Sequence, residues 1–339
     1  MKHNEPIPVT VLTGFLGAGK TTLLNHLMTQ HHGYKCAIII NEFGQISIDH
    51  QLVRGVDEEI LELNNGCLCC RVRKDLIKSL GDLFRRQTRF DYVLIETTGL
   101  ADPGPVAQTF FLPDLAKALR LDGIVTVVDA KHIEKELGET PEAGLQIGFA
   151  DVILLNKTDL VAAADVERIA ARIRRMNSMA KIHHTQEAQI DVGKVFNIKA
   201  RELATPVEVA RHEEHSDGHD QGHDHDNGED DHQAHEHYHD ERVRSFSIVD
   251  ERPLDLHKTE AWLGELLSTT GASIYRSKGI LHIRGEAKRV VFQGVQMTFR
   301  AEPDRLWNPG EQRQNRMVFI GKELDELRIR AGFEACLAG

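Results

Sequence analysis

The chain has no run of 18 apolar residues, the length a helix needs to cross a bilayer, so no membrane span is expected. Its first residues, Met1-Lys-His-Asn-Glu-Pro6, lack the apolar core of a secretory signal. Cysteine is scarce, 5 in 339 residues, which excludes a disulfide-stapled scaffold and fits a cytoplasmic location. A basic excess is missing too. The net charge is −11, and twelve of the 52 acidic residues fall in 212–241, which holds no Lys or Arg. The remainder is close to neutral, so no nucleic-acid surface is expected.

What is present begins with Gly14-Phe-Leu-Gly17-Ala18-Gly19-Lys20-Thr21, which fits G-x-x-x-x-G-K-[ST]. An apolar run, Pro8–Thr13, precedes it and a helical pattern, Thr22–Met28, follows. Glycines let the backbone curl so that successive N–H groups meet one anion, and the helix N-terminus adds partial positive charge. The expected phosphate-contacting residues are Gly14, Gly17, Ala18, Gly19, Lys20, Thr21 and Thr22. Lys20 is expected to reach the β- and γ-phosphates, and the Thr21 hydroxyl to bind Mg²⁺.

Further apolar runs lie at 35–40, 92–95, 124–128 and 152–155. They are continuous rather than alternating, as in strands buried on both faces of a parallel sheet. With helical patterns between several of them, the expectation is an α/β, doubly wound, mainly parallel sheet. Ligands of such sheets bind at the carboxyl ends of the strands, so Lys20, Glu42, Glu96, Asp129 and Asn156 could share one crevice. The expected nucleotide-binding domain spans 1–204. Residues 205–241, rich in His, Asp, Glu and Gly, cannot bury enough apolar surface to fold and are expected to be a disordered linker. Residues 242–339 resume apolar patterning as a smaller α+β domain. Its strands are expected at 243–249, 280–283, 289–292, 297–299 and 317–320, with helices at 259–267 and 323–333.

Asn156-Lys157-Thr158-Asp159 follows the fifth apolar run. A carboxylate at Asp159 can accept from N1–H and the exocyclic amine of guanine, whereas adenine would leave it unpaired. Lys157 would lay its stem along the base, and Asn156 would brace the loop. Glu96-Thr-Thr-Gly99 follows the third run. Glu96 could hold Mg²⁺ or orient the attacking water, which with Lys20 makes it the expected catalytic pair. Gly99 would let the backbone approach the γ-phosphate.

Cys67, Cys69 and Cys70 are three of the five cysteines within four residues. Thiolates suit Zn²⁺ and similar ions. Two or three of them are expected to ligate, helped by Glu42 or a histidine, in an open shell suited to transfer. A redox pair or buried small hydrophobes are the rival readings. Residues 212–239 hold nine of the 19 histidines. Among them His223, His225, His235, His237 and His239 are expected to form a low-affinity reservoir, with a solvated spacer as the rival.

Gly14–Thr21, Asn41–Gly44, Gly66–Cys70, Glu96–Gly99 and Asn156–Asp159, in that order, resemble the CobW-type metal-binding GTPases, which are relatives of UreG and HypB with YjiA-like members. Arg289–Gly294 and Met317–Gly321 resemble their C-terminal domain. The resemblance implies slow GTP hydrolysis to GDP with Mg²⁺, and Zn²⁺ or Co²⁺ carried as cargo to apo-metalloprotein clients. It also implies that the Cys motif binds the ion and that Glu42 lies in the nucleotide-sensing segment. A homo-oligomer is compatible with it. The main alternative is a metal-storage protein in which GTP is structural or regulatory.

Overall fold

The computed structural model describes residues 5–30, 33–42, 59–64, 76–78, 80–81, 85, 90–198 and 243–339. Cys67, Cys69, Cys70, the histidines of 212–239 and the expected linker lie outside the described residues.

The first part of the chain builds a parallel sheet from β1 (Ile7–Gly14), β2 (Cys36–Glu42), β3 (Glu59–Asn64), β4 (Tyr92–Thr97), β5 (Leu119–Asp129), β6 (Val152–Asn156) and β7 (Lys181–His184). Their order is β3-β2-β4-β1-β5-β6-β7, and every adjacent pair is parallel. Two apolar layers explain the continuous runs in the sequence. Val9, Val11, Ile39, Val93, Ile95, Ile153 and Leu155 face one layer. Leu12, Ile38, Ile40, Leu94, Val125, Val127 and Leu154 face the other, against Leu23, Leu24 and Leu27 of α1 (Lys20–Thr29). Two strands go beyond the sequence reading, and both are edges. β3 carries Glu59 and Glu62 among its apolar residues, and β7 is short and polar, Lys-Ile-His-His.

Between β4 and β5 lie α2 (Gly104–Thr109) and α3 (Pro113–Ala116); α4 (Ile133–Glu139) and α5 (Pro141–Phe149) precede β6, and α6 (Ala163–Met176) follows it. The C-terminal part adds β8 (Val243–Asp250), α7 (Leu256–Thr270), β9 (Ile274–Leu281), β10 (Lys288–Val295), β11 (Thr298–Leu306), β12 (Asn315–Lys322) and α8 (Glu326–Ala335). These strands form an antiparallel sheet ordered β11-β10-β9-β12-β8. Asp255 and Asp325 cap α7 and α8, their carboxylates accepting from Lys258 N–H and Arg328 N–H.

The second sheet is covered on both faces. Phe246, Phe292, Met317 and Phe319 pack under α7 and α8. Val243, Tyr275, Val295, Val318 and Ile320 join the core of the first domain. The sequence reading starts a strand at Ile280, but β9 begins at Ile274 and is buried along its whole length. Its polar letters misled: Arg276 and Lys278 are buried because both ion-pair with Asp151, at the end of the loop before β6, the Arg276 bond measuring 2.7 Å.

Candidate nucleotide and metal site

The carboxyl edge of the parallel sheet gathers the polar motifs. The phosphate loop leaves β1 at Gly14 and enters α1 at Lys20, with φ of 143°, 72° and 113° at Gly14, Gly17 and Gly19. A Cβ on Gly19 would meet Asn156 Nδ2 at 2.7 Å, so only glycine fits there. Lys20 is buried, and its Nζ donates to Phe15 O at 3.1 Å. Thr21 Oγ1 donates to Glu96 Oε1 at 3.2 Å, which joins α1 to the end of β4. Thr97 Oγ1 and Thr13 Oγ1 lie 2.9 Å apart and tie β4 to β1. A Cβ on Gly99 would come within 2.7 Å of Leu16 N, so this glycine lies directly against the phosphate loop. Thr22 is exposed on the first turn of α1, and Ala18 is buried beneath the loop.

Asn156 ends β6 beneath the same loop. Its Nδ2 donates to Ala18 O at 3.0 Å, and its Oδ1 accepts from Thr185 Oγ1 at 3.1 Å and Ala188 N at 2.9 Å. One side chain therefore joins the phosphate loop to the loop after β7. The sequence reading missed Thr185 and Ala188, which carry no motif; in the structure Glu187 and Ala188 take positive φ. Lys157 takes φ 60° and its Nζ bonds Asp129 Oδ2 at 2.7 Å, while Asp159 is exposed on the next turn.

Asp129, at the end of β5, also accepts from Lys131 N–H and lies 3.0 Å from His132 Nδ1. Burial alone would raise its carboxyl, but the bonds from Lys157, His132 and Lys131 hold it below the ordinary value. Glu136, one α4 turn beyond His132, is buried, and its Oε2 has no hydrogen-bond partner among the described residues. Burial, then the nearby charge of Asp129, push its carboxyl up to about 7. The sequence pattern gave no hint of it.

The edge continues through β2 and β3. Glu42 closes β2 opposite Asn64, the last residue of β3, and Asn41 lies opposite Thr97. Two residues, Asn65 and Gly66, separate Asn64 from Cys67, and a chain covers at most about 10 Å in those three steps. Among the described residues no group of three or more His, Cys, Asp or Glu could hold a metal ion. Cys36 and Cys336 are both buried, and His26 Nε2 lies 2.8 Å from Ile190 O. His183 and His184 end β7; burial and neighbouring Lys194 and Lys181 hold His183 below its ordinary value.

A phosphate loop on a parallel sheet, with an Asn-Lys-Thr-Asp turn joined to it through Asn156, defines a P-loop guanine-nucleotide-binding protein. The CobW/HypB/UreG nucleotide-binding domain matches residues 8–184 and the CobW C-terminal domain matches 243–337. The chain belongs to this CobW/HypB/UreG family. It is 38 % identical over 334 residues to the zinc chaperone YjiA of Escherichia coli, covering 97 % of this chain and 98 % of that one. It is 33 % identical over 370 residues to the zinc chaperone CobW of Pseudomonas aeruginosa, covering 100 % and 93 %. The crystal structure of Zn(II)-bound YjiA GTPase from E. coli superimposes with a TM-score of 0.73 at 33 % identity, covering 98 % of this chain and all of that one.

Proposed function

We propose that this protein is a GTP-hydrolysing carrier that binds a transition-metal ion, Zn²⁺ first and Co²⁺ second, and delivers it to apo-metalloprotein clients in the cytoplasm. The observation that carries the reading is the shared carboxyl edge. Gly14, Thr97, Glu42 and Asn64 end the neighbouring strands β1, β4, β2 and β3, so Asn64, which precedes the Cys67–Cys70 run in sequence, lies on the edge that holds the phosphate loop. β3 and β1 are three strand spacings apart, about 14 Å. The full-length likeness to proteins named zinc chaperones supports zinc as the ion.

GTP would lie along the loop, its phosphates on the N–H groups of 17–21 and on Lys20, its base against Lys157 and Asp159. Thr21 and Glu96 supply hard oxygen donors close together, a set that fits Mg²⁺, which when bound with GTP neutralises the developing phosphate charge. Glu96 orients the attacking water. We take intrinsic turnover to be slow, as expected of a GTPase without an arginine finger in the sequence motifs. Cys67, Cys69, Cys70 and Glu42 hold the cargo ion, the histidines of 212–239 collect ions, and the C-terminal domain meets the client.

Competition against a chromophoric zinc chelator tests this on the intact chain. A Cys67/Cys69/Cys70→Ser variant should lose its tightest Zn²⁺ and keep GTP binding, while a chain lacking 212–239 should keep that ion. Unchanged zinc affinity in the serine variant would overturn the assignment. Loss of the tight ion on deleting 212–239 instead would favour storage.

A further inference from the structure

The motifs account for the phosphate loop, the base turn and Glu96–Gly99, but not for what holds Gly99–Ala101 in place. Thr98–Ala101 form a turn closed by Ala101 N–H to Thr98 O at 3.0 Å. Its two outward carbonyls point at a single side chain. Gln146 Nε2 donates to Gly99 O at 3.0 Å and to Ala101 O at 3.2 Å. Gln146 is 1 % exposed, and its Oε1 has no hydrogen-bond partner among the described residues. A buried amide oxygen left unsatisfied is costly, so the opposite end of the amide is held where it is by the two carbonyls.

The helix that carries Gln146 is fixed on both sides. Thr126 Oγ1 of β5 donates to Gln146 O at 2.8 Å. On the opposite face of α5, Gly144 and Gly148 lie against the second sheet. A Cβ on Gly144 would meet Val243 at 3.3 Å, and one on Gly148 would meet the Tyr275 ring at 2.7 Å. Phe149 stacks on Tyr275 with ring centroids 5.3 Å apart. Asn177 Nδ2 closes the helix by donating to Ile147 O at 2.7 Å and Ala150 O at 2.9 Å. The turn itself leads into the same interface: Asp102 Oδ1 accepts from Gly104 N–H, and a Cβ on Gly104 would meet Phe149 and Gln296. Gln146 thus stands on a clamped helix and holds a stretch that lies against the phosphate loop at Leu16.

We propose that Gln146 is a positioning residue for GTP hydrolysis: its amide holds the Gly99–Ala101 turn against the phosphate loop in the arrangement the γ-phosphate selects. This rests on the reading of Gly99 as the γ-phosphate contact. GDP has no γ-phosphate, so its binding makes no use of the turn. The side chain acts through the backbone it holds and touches no reacting atom.

The test measures affinity for GDP and for a non-hydrolysable GTP analogue, together with the GTP hydrolysis rate at saturation. It uses the full chain with Mg²⁺ and no transition metal, so its outcome is independent of metal delivery. Gln146→Leu keeps the bulk and removes both donors. The expected result is about a tenfold loss of analogue affinity and of hydrolysis rate. GDP affinity should stay within about twofold. Equal losses for both nucleotides, or no loss, would overturn the proposal. Should the Leu variant fail to fold, Gln146→Glu decides. A carboxylate facing two carbonyls lacks donors, but its protonated form regains one. Hydrolysis by that variant should rise relative to wild type as pH falls from 8 to 6, and a parallel pH profile would overturn the proposal.

Discussion

Replacing Glu136 by Gln should stabilise the protein, and by more as the pH rises. The folded carboxyl keeps its proton up to about 7, against an ordinary value of 4.5. Between those values the folded state holds more protons than the unfolded one, so raising the pH removes stability. The loss begins near pH 4.5 and is complete somewhat above 7. Discounted for solvent screening, the gap corresponds to about 1–2 kcal/mol at full effect. A neutral amide of the same shape escapes it. Urea unfolding of nucleotide-free protein at pH 5.5, 7 and 8.5 would read the difference between wild type and Glu136→Gln, in which the other titrating groups largely cancel. The variant's advantage should grow by about 1 kcal/mol from pH 5.5 to 8.5. A difference independent of pH, or one that shrinks as pH rises, would refute the assignment of a protonated carboxyl beside Asp129.

Other perturbations test other contacts. Asp151→Ala leaves Arg276 and Lys278 buried without their shared carboxylate, and Arg276 Nε and Nη1 already have no hydrogen-bond partner among the described residues. Its cost should be about 3–5 kcal/mol, read by urea unfolding at neutral pH. Asp159→Asn should weaken GTP by on the order of a thousandfold, because the base loses a two-bond acceptor, and titration with a fluorescent GTP analogue measures it. Gly99→Ala places a methyl against Leu16 N and should lower affinity for a GTP analogue by about tenfold or more while leaving the fold intact by circular dichroism.

The parallel sheet was legible because strands buried on two faces must be apolar at every position, as Ile38-Ile39-Ile40 and Val93-Leu94-Ile95 are. The phosphate loop was legible because binding an anion with backbone N–H groups dictates glycines at fixed spacing. β3 and β7 were not, since edge strands tolerate charge, and the start of β9 was hidden because Arg276 and Lys278 look like surface residues until Asp151 is placed opposite them. Gln146, Glu136, Thr185 and Ala188 have no local signature. Each acquires its role from a partner between 7 and 47 residues away, Asp129 for Glu136 and Gly99 for Gln146, and only the topology brings them together. The cysteines were conspicuous by clustering, a chemical signal that does not depend on the fold.

The proposed carrier function requires that zinc affinity depend on the bound nucleotide. Equilibrium Zn²⁺ affinity of the intact chain, measured with saturating GDP and again with a non-hydrolysable GTP analogue, tests it most directly. Coupling of the usual size predicts affinities that differ by about fivefold or more between the two nucleotides. Identical zinc affinities in both complexes would contradict it.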